Sequence, residues 1–426
     1  MNRKQLIRSA IPIVALALTA TACGSSSSTP KSSDKPKTTN TSTKATTTAV
    51  AGSDTGAATL RAGLTSLLTE HVSLAATATG AALRGDNAMF TEYATALNGP
   101  EKSNTADLTA AITSAYGPEV GTAFDGLWRS ENHIPQFVAY TQAVAKGDEA
   151  GKQAAVDKLT AYAKTVGETL NSVNSNLPVD AVTQDITMHA TTLIAVIDAQ
   201  KAGDEAAVYK ALHEAYTHME GTAKVLATAT AAKFPEKFDG DAASPAAELR
   251  AGLTGLLSEH VWLAANATGA ALGGRTPQFE AAAAALNGPT DSNTTRLVDA
   301  IGSVYGDEVK TAFDGLWRSE NHIPQFVAYT QAVAKGDDAA KAAAVEKLTA
   351  YAKTFGTTLN SVNSNLPADA VAQDITTHAT TLIAVIDAQK ANDPKAAELL
   401  RAAVAHMAGT AKVLATATVA KYPGKF

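Results

Sequence analysis

The sequence predicts an all-α fold, and three observations carry that prediction. Apolar residues make up 45% of the 426 residues but aromatic ones only 5%, an alanine-rich balance that suits closely approaching helices better than a β sandwich. No stretch alternates apolar and polar residues as a half-buried strand would. Asn98-Gly99-Pro100, Tyr116-Gly117-Pro118, Gly147-Asp148, Leu177-Pro178 and Gly203-Asp204 each set a helix stop beside a helix start, with Gly as C-cap, Asp as N-cap or Pro in the first turn.

In chain order, Met1 to Arg8 is basic and Ala10 to Thr19 is a short apolar run, followed by Ala20-Thr21-Ala22-Cys23-Gly24. Small residues ahead of a cysteine are what lipoprotein signal peptidase requires. The stretch resembles the bacterial lipoprotein signal, with Ala20 where leucine is usual. The resemblance implies a leader over 1–22 that is removed, and a lipid on Cys23 that anchors the protein on the outward-facing side of the cell membrane. Cys23 is the only cysteine, which excludes disulfides within the chain and any thiolate metal site. Residues 23–56 are dominated by Ser, Thr, Lys and Pro and read as a disordered tether with almost nothing to bury. No later apolar run approaches the roughly 20 residues that span a bilayer. Lys+Arg 35 against Asp+Glu 41 gives a net charge of −6, which argues against nucleic acid as a partner. No feature of the sequence identifies a protein partner.

The remainder is a duplication. Leu60 to Leu83 matches Leu249 to Leu272 at an offset of 189, and the match runs to Phe238 and Phe426 with one deletion near the end. Thr122 to Asp148 recurs letter for letter at Thr311 to Asp337. Two homologous domains are expected over 57–238 and 246–426, joined by a linker, Asp239 to Pro245, and each folding alone. Each copy reads as about six helices paired into three hairpins of an up-and-down bundle, the second helix interrupted at Asn98-Gly99-Pro100. Pro135 predicts a kink in the third.

The histidines follow the same punctuation. His71, His133 and His189 each lie fourteen residues before a Gly-Asp turn, and His218 lies fourteen after Asp204. Fourteen residues is about 21 Å of helix, so the four reach one height if the turns share one end of the bundle. Tyr162, fourteen after Asp148, reaches it too. His260, His322, His378, His406 and Tyr351 repeat the pattern, and only His213 lacks a counterpart. His71 continues the Leu64, Leu67, Leu68 stripe, His133 heads Phe137, Tyr140 and Val144, His189 lies between Ile186 and Leu193, and His218 precedes Val225 by seven. All four therefore read as inward-facing.

A buried layer of imidazoles without partners would cost several kcal/mol. Two arrangements would satisfy it: a bound transition metal or haem, or a hydrogen-bonded network with carboxylates and Tyr162. Asp185 and Asp374 stand four residues before His189 and His378, on the same helix face, where a carboxylate would reach the layer or hold an imidazole tautomer. Glu70 and Glu259 immediately precede His71 and His260. Imidazoles with carboxylates and no thiolate suit copper(II), zinc or iron.

The motifs of metalloproteases, di-iron bundles, phosphate loops, serine hydrolases and covalent haem are missing. The pattern LLxEHVxLA, ALN, AFxxxW and FVxYT resembles uncharacterised secreted helical domains of Gram-positive bacteria. Some of these carry the label copper amine oxidase through a separate N-terminal domain that this chain lacks. That chemistry needs a tyrosine in an Asn-Tyr-Asp/Glu context, and no Asn-Tyr pair occurs here. Two functions stay open: a lipoprotein that binds a metal or haem, and a ligand-free structural or interaction lipoprotein with a polar core layer. Both favour binding over catalysis.

Overall fold

A computed structural model describes residues 52–426. The leader, Cys23 and nearly all of the tether lie outside the described residues. The described residues form an all-α fold that opens with a 3-10 turn, Gly52–Asp54. The first copy comprises α1 (Gly56–Leu83), α2 (Asn87–Asn98), α3 (Asn104–Tyr116), α4 (Pro118–Trp128), α5 (Ile134–Lys146), α6 (Glu149–Val173), α7 (Val179–Ala202) and α8 (Glu205–Lys233). The second repeats them as α9 (Pro245–Leu272), α10 (Thr276–Asn287), α11 (Asn293–Tyr305), α12 (Asp307–Trp317), α13 (Ile323–Lys335), α14 (Asp338–Val362), α15 (Ala368–Ala391) and α16 (Ala396–Lys421).

Each copy thus has eight helices where six are expected. The expected interruption at Asn98-Gly99-Pro100 separates α2 from α3. The second extra break is at Arg129 to His133, where Pro135 is not a kink within a helix but stands in the first turn of a new one, α5. A proline there gives up an N–H that has no intrahelical partner anyway. The turns at the hairpin ends are as the sequence predicts. Asp86, Asp148 and Asp204 accept from the N–H groups of Met89, Gly151 and Ala207. Gly147 and Gly203 close their helices in the left-handed region, at φ 69° each. At the position matching Gly203 the second copy uses Asn392, φ 50°, the residue type that best tolerates this conformation after glycine.

The structure differs from the expected domain organisation in two places. Residues 52–56, expected in the tether, pack onto the helices: Ser53 is fully buried, Thr55 caps α1, and Arg250 donates to the Ser53 carbonyl at 2.7 Å. The copies, expected to be separately cored, form one compact unit over the described residues with a shared apolar interior. The reason lies in α1 and α9, which pack against each other as well as against their own bundles and are buried along most of their length and around most of their circumference. Alanines such as Ala57, Ala58, Ala246 and Ala247, all buried, let backbones approach closely. The linker is pinned to this seam. The Gly56 N–H donates to the Asp239 carboxylate at 2.7 Å, the Ala57 N–H donates to the Asp239 carbonyl at 3.0 Å, and Arg61 donates to the Ala242 carbonyl at 2.9 Å.

The copies meet around an approximate two-fold relation. α2 touches α16 and α10 touches α8. Arg401 of α16 reaches Glu70 of α1 at 3.0 Å, and the counterpart of Arg401, His213 of α8, reaches Glu259 of α9 at 2.8 Å. His213, without a counterpart among the histidines, is therefore one half of a cross-copy clasp.

Candidate metal centre

In each copy three histidines converge. His71 projects from the middle of α1, His133 stands at the N-terminus of α5, and His189 projects from α7; α1, α5 and α7 pack mutually. Ring centroids are 5.6 Å apart for His71 and His133, 5.5 Å for His71 and His189, and 6.2 Å for His133 and His189. One nitrogen from each can be chosen so that all three lie within 4.8 Å of one another. His260, His322 and His378 repeat this, with centroids 5.7, 5.6 and 6.4 Å apart. All six are at most 3% exposed.

Burial dictates the charge state. Burial, then the nearby His133, pushes His71 down to about 3. Burial brings His133 and His322 to about 4 against the pull of the Trp128 and Trp317 carbonyls, and brings His378 to about 3 with help from His322 and His406. Burial, with the neighbouring imidazoles adding to it, also holds His189 and His260 well below the ordinary histidine value. Six neutral imidazoles at pH 7 are in the protonation state that metal ligation needs.

Two further features bear on ligation. His133 Nδ1 lies 2.8 Å from the Trp128 carbonyl and His322 Nδ1 lies 2.9 Å from that of Trp317. A carbonyl can only accept, so Nδ1 carries the proton and Nε2 keeps its lone pair, the tautomer a metal-bound histidine commonly adopts. Both ring nitrogens of His189 and of His378, and Nδ1 of His71 and His260, are buried with no hydrogen-bond partner. A metal at 2.0–2.1 Å from each of three nitrogens would satisfy one atom per ring. It would draw them to roughly 3.4 Å from one another, a small closure. Three ligands leave a fourth position open. Against the His133 ring stand Tyr162, stacked at 4.6 Å and 8°, and Trp128, edge-on at 4.6 Å. The Tyr162 hydroxyl and the Trp128 indole N–H also lack partners, and burial pushes the phenol up so that it stays protonated. Tyr351 stacks on His322 in the same way, at 4.6 Å and 6°.

The expected layer of four is corrected to three. His218 is half-buried on α8 and sits 2.9 Å from the Asp185 carbonyl and 3.7 Å from its carboxylate; His406 does the same with Asp374, at 3.1 Å and 3.6 Å. Equal counts from a turn fix height but not direction around the helix. Val225, taken to mark the inward stripe of His218, is 53% exposed. Asp185 and Asp374 accordingly bind His218, His406 and the hydroxyls of Thr222 and Thr410, not the clustered imidazoles. Glu70 and Glu259 also point elsewhere. Glu70 is held by Arg401 and Asn104, and Glu259 by His213, Arg296 and Asn293. Adjacent residues on a helix diverge by about 100°, which is why Glu70 faces the seam while His71 faces the bundle.

Beside the first cluster lies an apolar cavity of about 190 Å³, its wall including His189, Trp128, Phe124 and Val166. Its counterpart in the second copy is about 50 Å³ and does not reach His378. No family model, curated protein or solved structure matches the chain, so the reading of this site rests on its own residues.

Proposed function

We propose that the protein is an outward-facing, lipid-anchored lipoprotein that holds one transition-metal ion in each three-histidine cluster, His71 with His133 and His189, and His260 with His322 and His378. The observation that carries this is the convergence of three buried, neutral imidazoles in each copy, one nitrogen of each within 4.8 Å of the others, with both ring nitrogens of His189 and His378 lacking a hydrogen-bond partner. A ligand-free polar layer would be expected to satisfy those nitrogens internally, and Asp185 and Asp374, the carboxylates best placed to do so, are engaged elsewhere. The all-nitrogen donor set suits zinc, copper(II) or iron and disfavours copper(I), which favours sulfur. Three convergent imidazoles per copy suit a single ion, whereas a haem iron takes at most two axial ligands. The anchor rests on Cys23 and the leader before it.

The test is elemental analysis of protein purified without a histidine tag, beside the His133→Ala, His322→Ala double variant. About two ions per chain are expected in the wild type and none held tightly in the variant. Wild-type protein without tightly bound metal, or a variant that binds as well, overturns the reading. For the anchor, Cys23→Ala should abolish membrane partition, and wild-type protein recovered soluble and unlipidated overturns it.

A further inference from the structure

The two copies differ most usefully at one core position. Val166 of α6 corresponds to Phe355 of α14, and Ala115 of α3 to Val304 of α11. In the second copy the Phe355 ring is 2% exposed. It packs at 6.3 Å and 65° against Phe313 and at 6.0 Å and 59° against Trp317, and the remaining space is about 50 Å³. In the first copy Phe124 and Trp128 keep their mutual stacking, 5.2 Å and 25° against 5.4 Å and 27° in the second. Where the second copy has the Phe355 ring, the first has only a valine, and the cavity of about 190 Å³ extends to His189. Ala181 of α7 and Val225 of α8, both exposed, also line it, so it opens to solvent between these helices.

We propose that the cavity of the first copy is a binding site for an uncharged monocyclic aromatic molecule, seated where the second copy seats the ring of Phe355. The second copy supplies the geometry: an aromatic ring held edge-on to the Phe–Trp pair. Size agrees, since an apolar cavity of about 150 Å³ binds benzene. The walls are almost wholly apolar, which excludes a charged or strongly hydrated ligand. Because the wall includes His189, such a ligand would lie beside the first histidine cluster, whereas the Phe355 ring closes off the second. The copies would then divide their roles, one accessible to an organic ligand and one sealed. The binding site does not depend on metal at either cluster.

The test is calorimetric titration of toluene into the purified full-length chain without added metal, compared with Val166→Phe and Phe355→Val. The expected stoichiometries are about one for wild type, none for Val166→Phe and about two for Phe355→Val, with circular dichroism reporting the fold. Should Val166→Phe fail to fold, the Phe355→Val stoichiometry decides alone: two supports the assignment and one overturns it. Folded wild type that takes up no toluene, or Val166→Phe that takes up as much as wild type, also overturns it. Metal content does not enter these readouts, so the two proposals fail separately.

Discussion

The two copies keep the same three-histidine cluster but differ in what surrounds it. The imidazoles, their tryptophan carbonyls and the stacked tyrosines correspond residue for residue. Around them a valine faces a phenylalanine, and across the seam a histidine stands where the other copy uses an arginine.

The largest expected effect tests what is shared. If both clusters hold metal, thermal scans should show a midpoint that rises with metal in the wild type and no response in the His133→Ala, His322→Ala variant. A response retained in that variant would break the equivalence of the clusters.

The metal-free chain should be acid-labile in both copies at once. Burial depresses all six histidines in the folded state, His133 and His322 to about 4, His71 and His378 to about 3, and His189 and His260 well below the ordinary value, so the unfolded chain takes up protons first, near the ordinary 6.5. Stability is therefore intact above pH 6.5. It falls as pH drops towards the folded values by about 1.4 kcal/mol per pH unit for each histidine. Against a typical total of about 5–15 kcal/mol, unfolding by about pH 5 is expected. Bound metal should move that transition to lower pH. Tryptophan fluorescence from Trp128 and Trp317 should report one transition; two would show that the copies unfold separately.

The cavity sharpens the contrast. Phe355→Ala should cost about 3–5 kcal/mol, whereas Val166→Ala, which only enlarges an existing space, should cost about 1–2 kcal/mol in a urea titration. Equal costs would mean that Phe355 does not fill the second copy as its contacts indicate.

The seam gives the smallest contrast. Burial raises Glu70 against the pull of Arg401. For Glu259 burial acts the same way, but His213, Arg296 and Asn293 outweigh it and hold the carboxyl below its usual range. Arg401→Ala, which leaves Glu70 buried with only Asn104, should therefore cost about 3 kcal/mol. His213→Ala leaves Glu259 two partners and should cost about 1 kcal/mol. Denaturation of the two single variants checks the order.

Much of this was legible in the sequence, because the Gly-Asp turns fix heights along helices and three histidines share one count from them. Direction around a helix is harder to read: the seven-residue spacing to Val225 suggests an inward His218, but Val225 lies at the surface. Pro135 suits a kink and a first turn equally, and only the packing of His133 chooses between them. The shared core does have a signal in the sequence. Val72 to Leu83 and Val261 to Leu272 carry no charged residue, and a helix that is apolar all round is buried on every side. The deeper cavity could be traced to Val166 only once the ring of Phe355 was seen to occupy the equivalent space.

The approximate two-fold seam has a consequence for assembly. α1 meets α9, α2 meets α16 and α10 meets α8, the reciprocal pattern of an isologous dimer. This chain is in effect a dimer whose halves are joined by residues 234–244, between α8 and α9. Joining partners turns association into an intramolecular event at an effective concentration on the order of millimolar. A single-copy protein with this seam would come apart on dilution, whereas here the halves stay together at any concentration, and each is free to change its side of the contact without having to pair with itself.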